Sequence, residues 1–208
     1  MRRVGCYVDG FNLYHAVHDL QKPHLKWLDL AALAGSLCRP NEVVVKVAYF
    51  SAYATWRADA YARHRAYVAA LDHRGVECHL SRFLEKDAQC NMCGARWKRH
   101  EEKETDVHFS LMLLEDAIDN VFDRAIIISA DSDLVPPVRA IRRRLPRKEV
   151  FVATPPGRHA MARDLLGVCN SGIALTPGRL AGCLFPERVI DAEGAVVAVR
   201  PADYNPPV

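Results

Sequence analysis

The sequence predicts an α/β protein: a doubly wound α/β/α sandwich around a mainly parallel central sheet. Three observations lead there. Short β-branched runs alternate with longer stretches of helical period, as expected of strands joined by crossover helices. Two of the apolar runs stop at carboxylates: Arg3-Val4-Gly5-Cys6-Tyr7-Val8 ends in Asp9-Gly10-Phe11-Asn12, and Ala125-Ile126-Ile127-Ile128 ends in Ser129-Ala130-Asp131-Ser132-Asp133. An acid at the end of a buried strand sits on the rim of a parallel sheet, where such folds bind ligands. Finally, 208 residues suit one compact domain with an appendage, able to bury roughly 70% of its unfolded surface.

In chain order, strands are expected at 3–9, 43–51, 76–83, 124–129 and 148–153, with a further short one near 170–175. Helices are expected at roughly 28–38, 58–74, 105–119, 132–145 and 158–166. Asp9 reads as a turn former or as the N-cap of a helix following the first strand. In the helix opening at Asp106, residues Val107, Leu111, Leu114 and Ile118 recur at steps of three and four and make an apolar stripe. Pro136 and Pro137 lie in the first turn of the next helix, where a missing N–H costs little. Right-handed crossovers carry the strands into one sheet. This core spans 1–175. A polar insertion, 84–104, breaks its rhythm, and an extension, 176–208, carries Arg188-Val189-Ile190-Asp191 and Ala195-Val196-Val197-Ala198-Val199 about an Ala-Glu-Gly turn, a β-hairpin.

Composition narrows the class. Half the residues are hydrophobic and a quarter charged, and the net charge is only +3, so the molecule is not polybasic overall. The basic run Arg139, Arg142, Arg143, Arg144, Arg147, Lys148 reads first as a solvated helix face and second as a phosphate-contacting one. No apolar stretch approaches the ~20 residues of a membrane span, so no membrane partner is expected. Asp9 interrupts the first apolar run, which excludes a signal-peptide layout there. Seven cysteines, several inside apolar runs (Cys6, Cys38, Cys169), suit reduced thiols and a cytoplasmic location.

The acids carry the chemistry. Each alone has a structural explanation: Asp9 as a turn or cap, Asp131 or Asp133 as an N-cap, and Asp106 as an acid favoured by the dipole of the helix it opens. Together they place several carboxylates at one sheet edge, where they repel unless a cation or proton is shared. Hard Mg²⁺ or Mn²⁺ prefers carboxylate oxygens and retains waters, so the pattern suits metal-dependent phosphodiester hydrolysis. Asn12 and Ser129 add neutral groups able to orient water or a phosphate oxygen. No Gly-rich phosphate loop or dinucleotide fingerprint competes. An Asp-x-Asp phosphatase would want its acids after the first strand, where this chain has Asp9-Gly10-Phe11; a topoisomerase-primase-like domain would want glutamate there.

Three ordered segments, Tyr7-Val8-Asp9-Gly10-Phe11-Asn12-Leu13-Tyr14, Glu102-Lys103-Glu104-Thr105-Asp106-Val107 and Ile127-Ile128-Ser129-Ala130-Asp131-Ser132-Asp133-Leu134, resemble the signatures of NYN-domain proteins of the PIN-like nuclease superfamily. The resemblance covers about 1–175. It implies a PIN-like sandwich, a metal-dependent endoribonuclease, and single-stranded or structured RNA as substrate. It also implies Asp9, Asp106, Asp131 and Asp133 as the Mg²⁺/Mn²⁺ site, with Asn12 and Ser129 in support. Non-catalytic RNA-binding or regulatory adaptors exist on the same fold and are the alternative. Such domains commonly pair, so a homodimer is compatible with the resemblance.

Cys90-Asn91-Met92-Cys93-Gly94 is half of a zinc knuckle: the spacing lets two thiolates share a tetrahedral ion. The remaining ligands of such a structural Zn²⁺ are sought among Cys78, His79 and His100; reduced thiols or a redox pair are the alternatives. Arg96, Trp97, Lys98 and Arg99 form a basic-aromatic patch suited to stacking a base and contacting phosphate, and Trp97 alternatively closes a small core of the insertion.

Overall fold

The computed structural model describes residues 1–207. Nine strands and seven helices follow in order: β1 (Arg2–Asp9), α1 (Gly10–Asp19), α2 (Leu30–Ser36), β2 (Glu42–Ala52), α3 (Ala58–His73), β3 (Glu77–Gln89), β4 (Arg96–Lys103), α4 (Thr105–Ile118), β5 (Arg124–Ile128), α5 (Val135–Arg144), β6 (Glu149–Thr154), α6 (Arg163–Val168), β7 (Ser171–Ala174), α7 (Pro177–Ala181), β8 (Arg188–Ile190) and β9 (Val196–Val199). A seven-stranded sheet has the order β4-β3-β2-β1-β5-β6-β7. Every neighbouring pair in it is parallel except β3–β4. The chain builds outward from β1 through β2 and β3, then returns to the other side of β1 with β5. The β1–β5 boundary is therefore the point where the strand order reverses, and there the crevice of an open α/β sheet opens.

β1 and β5 are buried on both faces, and their side chains alternate between two cores. Val4, Cys6, Val8, Ile126 and Ile128 face a core shared with α1, α2 and α3; Tyr7, Ala125 and Ile127 face one shared with α4, α5 and α6. At the end of the sheet remote from the acids, Arg124 and Glu42 form a fully buried ion pair, Nε to Oε1 2.8 Å, and Arg124 also donates to the Leu37 carbonyl at 3.0 Å.

Three expectations change. The strand expected at 76–83 continues to Gln89 and pairs antiparallel with β4, so segment 84–104 is a β-ribbon growing from the sheet rather than an irregular insertion. Of the stripe Val107, Leu111, Leu114 and Ile118, only Leu114 packs against the core; the other three are 62%, 52% and 61% exposed. The buried face of α4 is Thr105, Phe109, Leu113, Asp116 and Ala117. Asp116 can be inside because Tyr7 donates its hydroxyl to it at 2.7 Å and Lys46 lies 2.9 Å away, which satisfies a buried carboxylate. The extension from 176 onward is part of the body. Its hairpin β8–β9 is a separate two-stranded sheet, yet Phe185, Val189, Ala198 and Tyr204 join the first core and Trp27 donates its indole N–H to the Pro186 carbonyl at 2.8 Å.

Candidate functional site

Asp9 is the last residue of β1 and the N-cap of α1. Its Oδ1 accepts the Asn12 N–H at 2.9 Å, and its Oδ2 accepts the Ser129 hydroxyl at 2.8 Å from the end of the neighbouring strand. Asn12 returns the link: its Oδ1 accepts the Ala130 N–H at 3.1 Å. Ser129 Oγ accepts the Asp131 N–H at 3.0 Å, and Asp131 Oδ1 accepts the Asp133 N–H at 2.9 Å, which starts the helical turn Ser132–Leu134. Asp9, Asn12, Ser129 and Asp131 thus form one hydrogen-bonded chain across the β1–β5 switch point. The tight turn at Asp9 requires glycine next: a Cβ on Gly10 would lie 2.6 Å from the Phe50 carbonyl oxygen and from the Tyr49 ring.

Asp106 arrives from the other side, on the first turn of α4. The junction before it is unusual. Glu104 has φ +76, the left-handed region that costs a non-glycine residue, and it offers no side-chain cap. Glu102 does that work, with Oε1 accepting the Thr105 N–H at 3.0 Å. Asp9, Asn12, Glu102, Asp106 and Asp131 line one open cleft of about 500 Å³ together with Phe11, His15, Phe83 and Arg158. Glu102 is an acid that sequence reading did not single out; the available signal was its place four residues before Asp106, opening the second of the three segments. Asp133 is exposed and does not line the cleft.

The electrostatics follow from the crowding. Burial pushes the Asp9 carboxyl up to about 6; the charges of Asp106 and Asp131 add to this, against the hydrogen bonds from Asn12 and Ser129. The Asp106 carboxyl is likewise raised to about 6, first by partial burial in the cleft mouth and then by Asp131, Glu102 and Asp133. Hard carboxylate oxygens under mutual repulsion are the donor set a divalent cation takes. In the positions described, no group of three or more His, Cys, Asp or Glu converges closely enough to hold an ion among the described residues. Carboxylate oxygens suit Mg²⁺ or Mn²⁺ in kind, and coordination would require them to draw inward.

The thiols are placed differently. Cys90 and Cys93 lie at the tip of the β3–β4 ribbon, in a turn closed by Gly94 N–H to the Cys90 carbonyl at 2.9 Å. Hydrogen bonds from the Cys93 and Met92 N–H groups hold the Cys90 thiol below its usual range. His100 pairs with Glu85, five residues back along the ribbon from Cys90, which at ~3.3 Å per residue is ~16 Å from the turn. Its ring stacks on Trp56 at 3.7 Å. His79 is farther still, stacked on Phe50 at 5.1 Å and beside His108 at 5.0 Å. Cys78 is opposite Tyr49 in the sheet. The structure therefore does not bring the four zinc candidates together. The basic-aromatic run is also dispersed: strand alternation sends Arg96 and Lys98 to one side of the ribbon and Trp97 and Arg99 to the other. Lys98 is bridged to Glu85 and Asp87, at 3.0 and 2.9 Å.

A second cavity, of about 250 Å³, adjoins the acidic cleft and shares Phe11, His15 and Phe83 with it. Sequence reading missed it because its walls come from α1, β2, α3 and the C-terminal Tyr204.

The sequence pattern of the NYN domain matches residues 3–176. The chain is 25% identical, over 97% of its length and 75% of the relative's, to 6-hydroxy-3-succinoylpyridine 3-monooxygenase from Pseudomonas putida. Among solved structures, a Vibrio parahaemolyticus protein of unknown function superimposes with a TM-score of 0.60 at 20% identity, covering 88% of this chain and 96% of that one; this is a likeness of fold.

Proposed function

The chain belongs to the NYN-domain family, within the PIN-like nuclease superfamily, and from that premise we propose that it is a divalent-metal-dependent ribonuclease cutting RNA phosphodiester bonds at the aspartate rim. The observation that carries the reading is the hydrogen-bonded chain Asp9–Ser129–Asp131 with Asn12, at the strand-order switch point, facing Asp106 across one cleft. Asp9, Asp106, Asp131 and the rim residue Asp133 would hold Mg²⁺ or Mn²⁺. When bound, such an ion polarises the phosphate and lowers the pKa of a coordinated water. The protein's own part is positional. Ser129 fixes one Asp9 oxygen and Asn12 fixes the loop after β5, so the Asp9 carboxylate and the Asp131 segment are held in register across the switch point. Arg158 also lines the cleft, its guanidinium paired with Asp19.

The test is cleavage of labelled single-stranded RNA and DNA in Mn²⁺, Mg²⁺ and EDTA, alongside an Asp131→Asn/Asp133→Asn protein that still folds. Metal-dependent RNA cutting lost in the variant is expected. Two inert proteins that bind RNA equally would instead favour a non-catalytic RNA-binding adaptor. One observation favours a second reading: the aromatic cavity beside the rim, together with a relative whose name describes action on a hydroxypyridine. On that reading the site takes a small heteroaromatic acid, and RNA is neither bound nor cut.

A further inference from the structure

The cavity next to the acidic cleft has a chemistry of its own. Its walls are aromatic and flat: Tyr14 of α1, Trp56 before α3 and Phe83 of β3, with Tyr49 and Tyr67 below. Trp56 meets Phe83 edge-on at 4.7 Å, and Phe83 meets Phe11 edge-on at 5.6 Å, so the rings buttress one another from both sides of the boundary with the cleft. Cations stand around it. Lys26 lies 4.5 Å over the Tyr14 ring, Arg57 opens α3, and Arg63 is held by Asp203 at 2.8 Å. Deep inside, His64 is bonded to the Tyr49 hydroxyl at 3.1 Å. Burial holds that imidazole down at about 4, so it is neutral at pH 7 and offers a hydrogen-bonding edge without charge. At about 250 Å³ the space lies just below the usual range for drug-sized ligands and suits one flat heterocycle.

We propose that this cavity is a nucleobase subsite: it takes the base of the nucleotide whose neighbouring phosphate lies at the aspartate rim. This rests on the ribonuclease reading and adds the part of the substrate held outside the acids. The occupant follows from position and composition. The cavity and the acidic cleft share Phe11, His15 and Phe83 as walls, so a nucleotide whose base is held in the one has its backbone beside Asp9 and Asp106 in the other. Aromatic walls stack any base, and a cationic rim meets the backbone that carries it. The arrangement assigns sequence-tolerant recognition, with any base preference set by the His64 and Ser51 end of the cavity.

Ala60→Trp tests this, because Ala60 lies on the cavity wall in the first turn of α3, is half-buried, and does not line the acidic cleft. Steady-state cleavage would be measured on single-stranded RNA oligomers, intact or with one abasic position moved along the chain. Calorimetric titration with uridine and adenosine 5′-monophosphates and with a pyridine carboxylate would run in parallel on both proteins. The expected result is a KM raised tenfold or more in Ala60→Trp with kcat nearly unchanged. A single abasic position should mimic that rise in the wild type and add nothing in the variant. Metal-dependent cutting with the same KM in both proteins would overturn the subsite while leaving the nuclease intact. Nucleotide binding lost in Ala60→Trp, in a protein that cuts no RNA, would keep the subsite and overturn the nuclease. A cavity that binds the pyridine carboxylate and neither nucleotide would overturn the nucleobase assignment.

Discussion

Asp9 holds two positions at once, cap of α1 and member of an acid cluster, and the two make opposite demands. Its carboxyl is raised from the usual range to about 6, mainly by burial. The folded state therefore binds more protons than the unfolded one between pH ~4 and ~6, and stability falls as pH rises through that window. Two pKa units correspond to at most about 3 kcal/mol. In EDTA, the wild type should have a higher Tm at pH 5 than at pH 7.5. Asp9→Asn keeps an N-cap of equal quality, and the Ser129 hydroxyl can turn to accept from the new amide. The variant should lose cleavage and gain about 1–2 kcal/mol at pH 7.5, with little difference left at pH 4. Denaturant melts at the two pH values decide it, and a variant less stable at both would show that the acid contributes net stability. Gly10 beside it is constrained by space alone: in Gly10→Ala the methyl meets the Phe50 carbonyl at 2.6 Å. Overpacking of this kind costs ~1–3 kcal/mol, and because the strain falls on Asp9, activity should drop even well below Tm. Unchanged activity in a correctly folded Gly10→Ala protein would separate the turn from the site.

Much of each element was legible, for local reasons. β1 and β5 declare themselves because strands buried on both faces must be continuously apolar, and their ends declare themselves because the acids stop the run. α4 was legible as a helix and illegible as to facing. Its inward face includes Asp116, admitted because Tyr7 and Lys46 come from other strands to satisfy it, and Thr105, whose buried hydroxyl has no hydrogen-bond partner; periodicity counts such residues as polar and so selects the wrong stripe. The ribbon was illegible because β3 beyond Phe83 and β4 are polar except for Leu84, Ala88 and Trp97, and are held by ladder hydrogen bonds and by pairs such as Lys86–Glu101 at 2.7 Å rather than by burial. The same geometry decides the thiols. With His79 and His100 remote, one chain offers an ion only Cys90 and Cys93, half of a tetrahedral set. Monomeric protein should thus carry no stoichiometric zinc, and Cys90→Ser/Cys93→Ser should leave Tm within about 2 °C, since surface substitutions rarely exceed ±0.5 kcal/mol. Metal analysis giving one zinc per monomer, lost in the double variant, would refute this.

The whole molecule separates its functions along the strands: reactive groups at the carboxyl ends of β1 and β5, structural charge at the opposite end. Arg124 begins β5 and Glu42 begins β2, and their side chains are 1% and 0% exposed. Between them β1 starts, so this pair ties the first half of the sheet to the second across the central strand. A buried pair adds little over apolar residues of the same shape, but removing one partner leaves an uncompensated charge and costs ~3–5 kcal/mol. Arg124→Met should lose that much, because Glu42 keeps only the Arg39 N–H at 2.8 Å and the distant Arg39 guanidinium at 3.8 Å. Adding Glu42→Gln should recover most of the loss, since a neutral amide can still accept from the Arg39 N–H. Because the acids are a strand's length away, both proteins should retain wild-type kcat at temperatures where they are folded. Urea melts and single-temperature kinetics on the two variants test the separation together. If Arg124→Met lowers kcat while still fully folded, the two ends of the sheet are coupled; if the double variant is no more stable than the single one, the buried charge is not what Arg124 offsets.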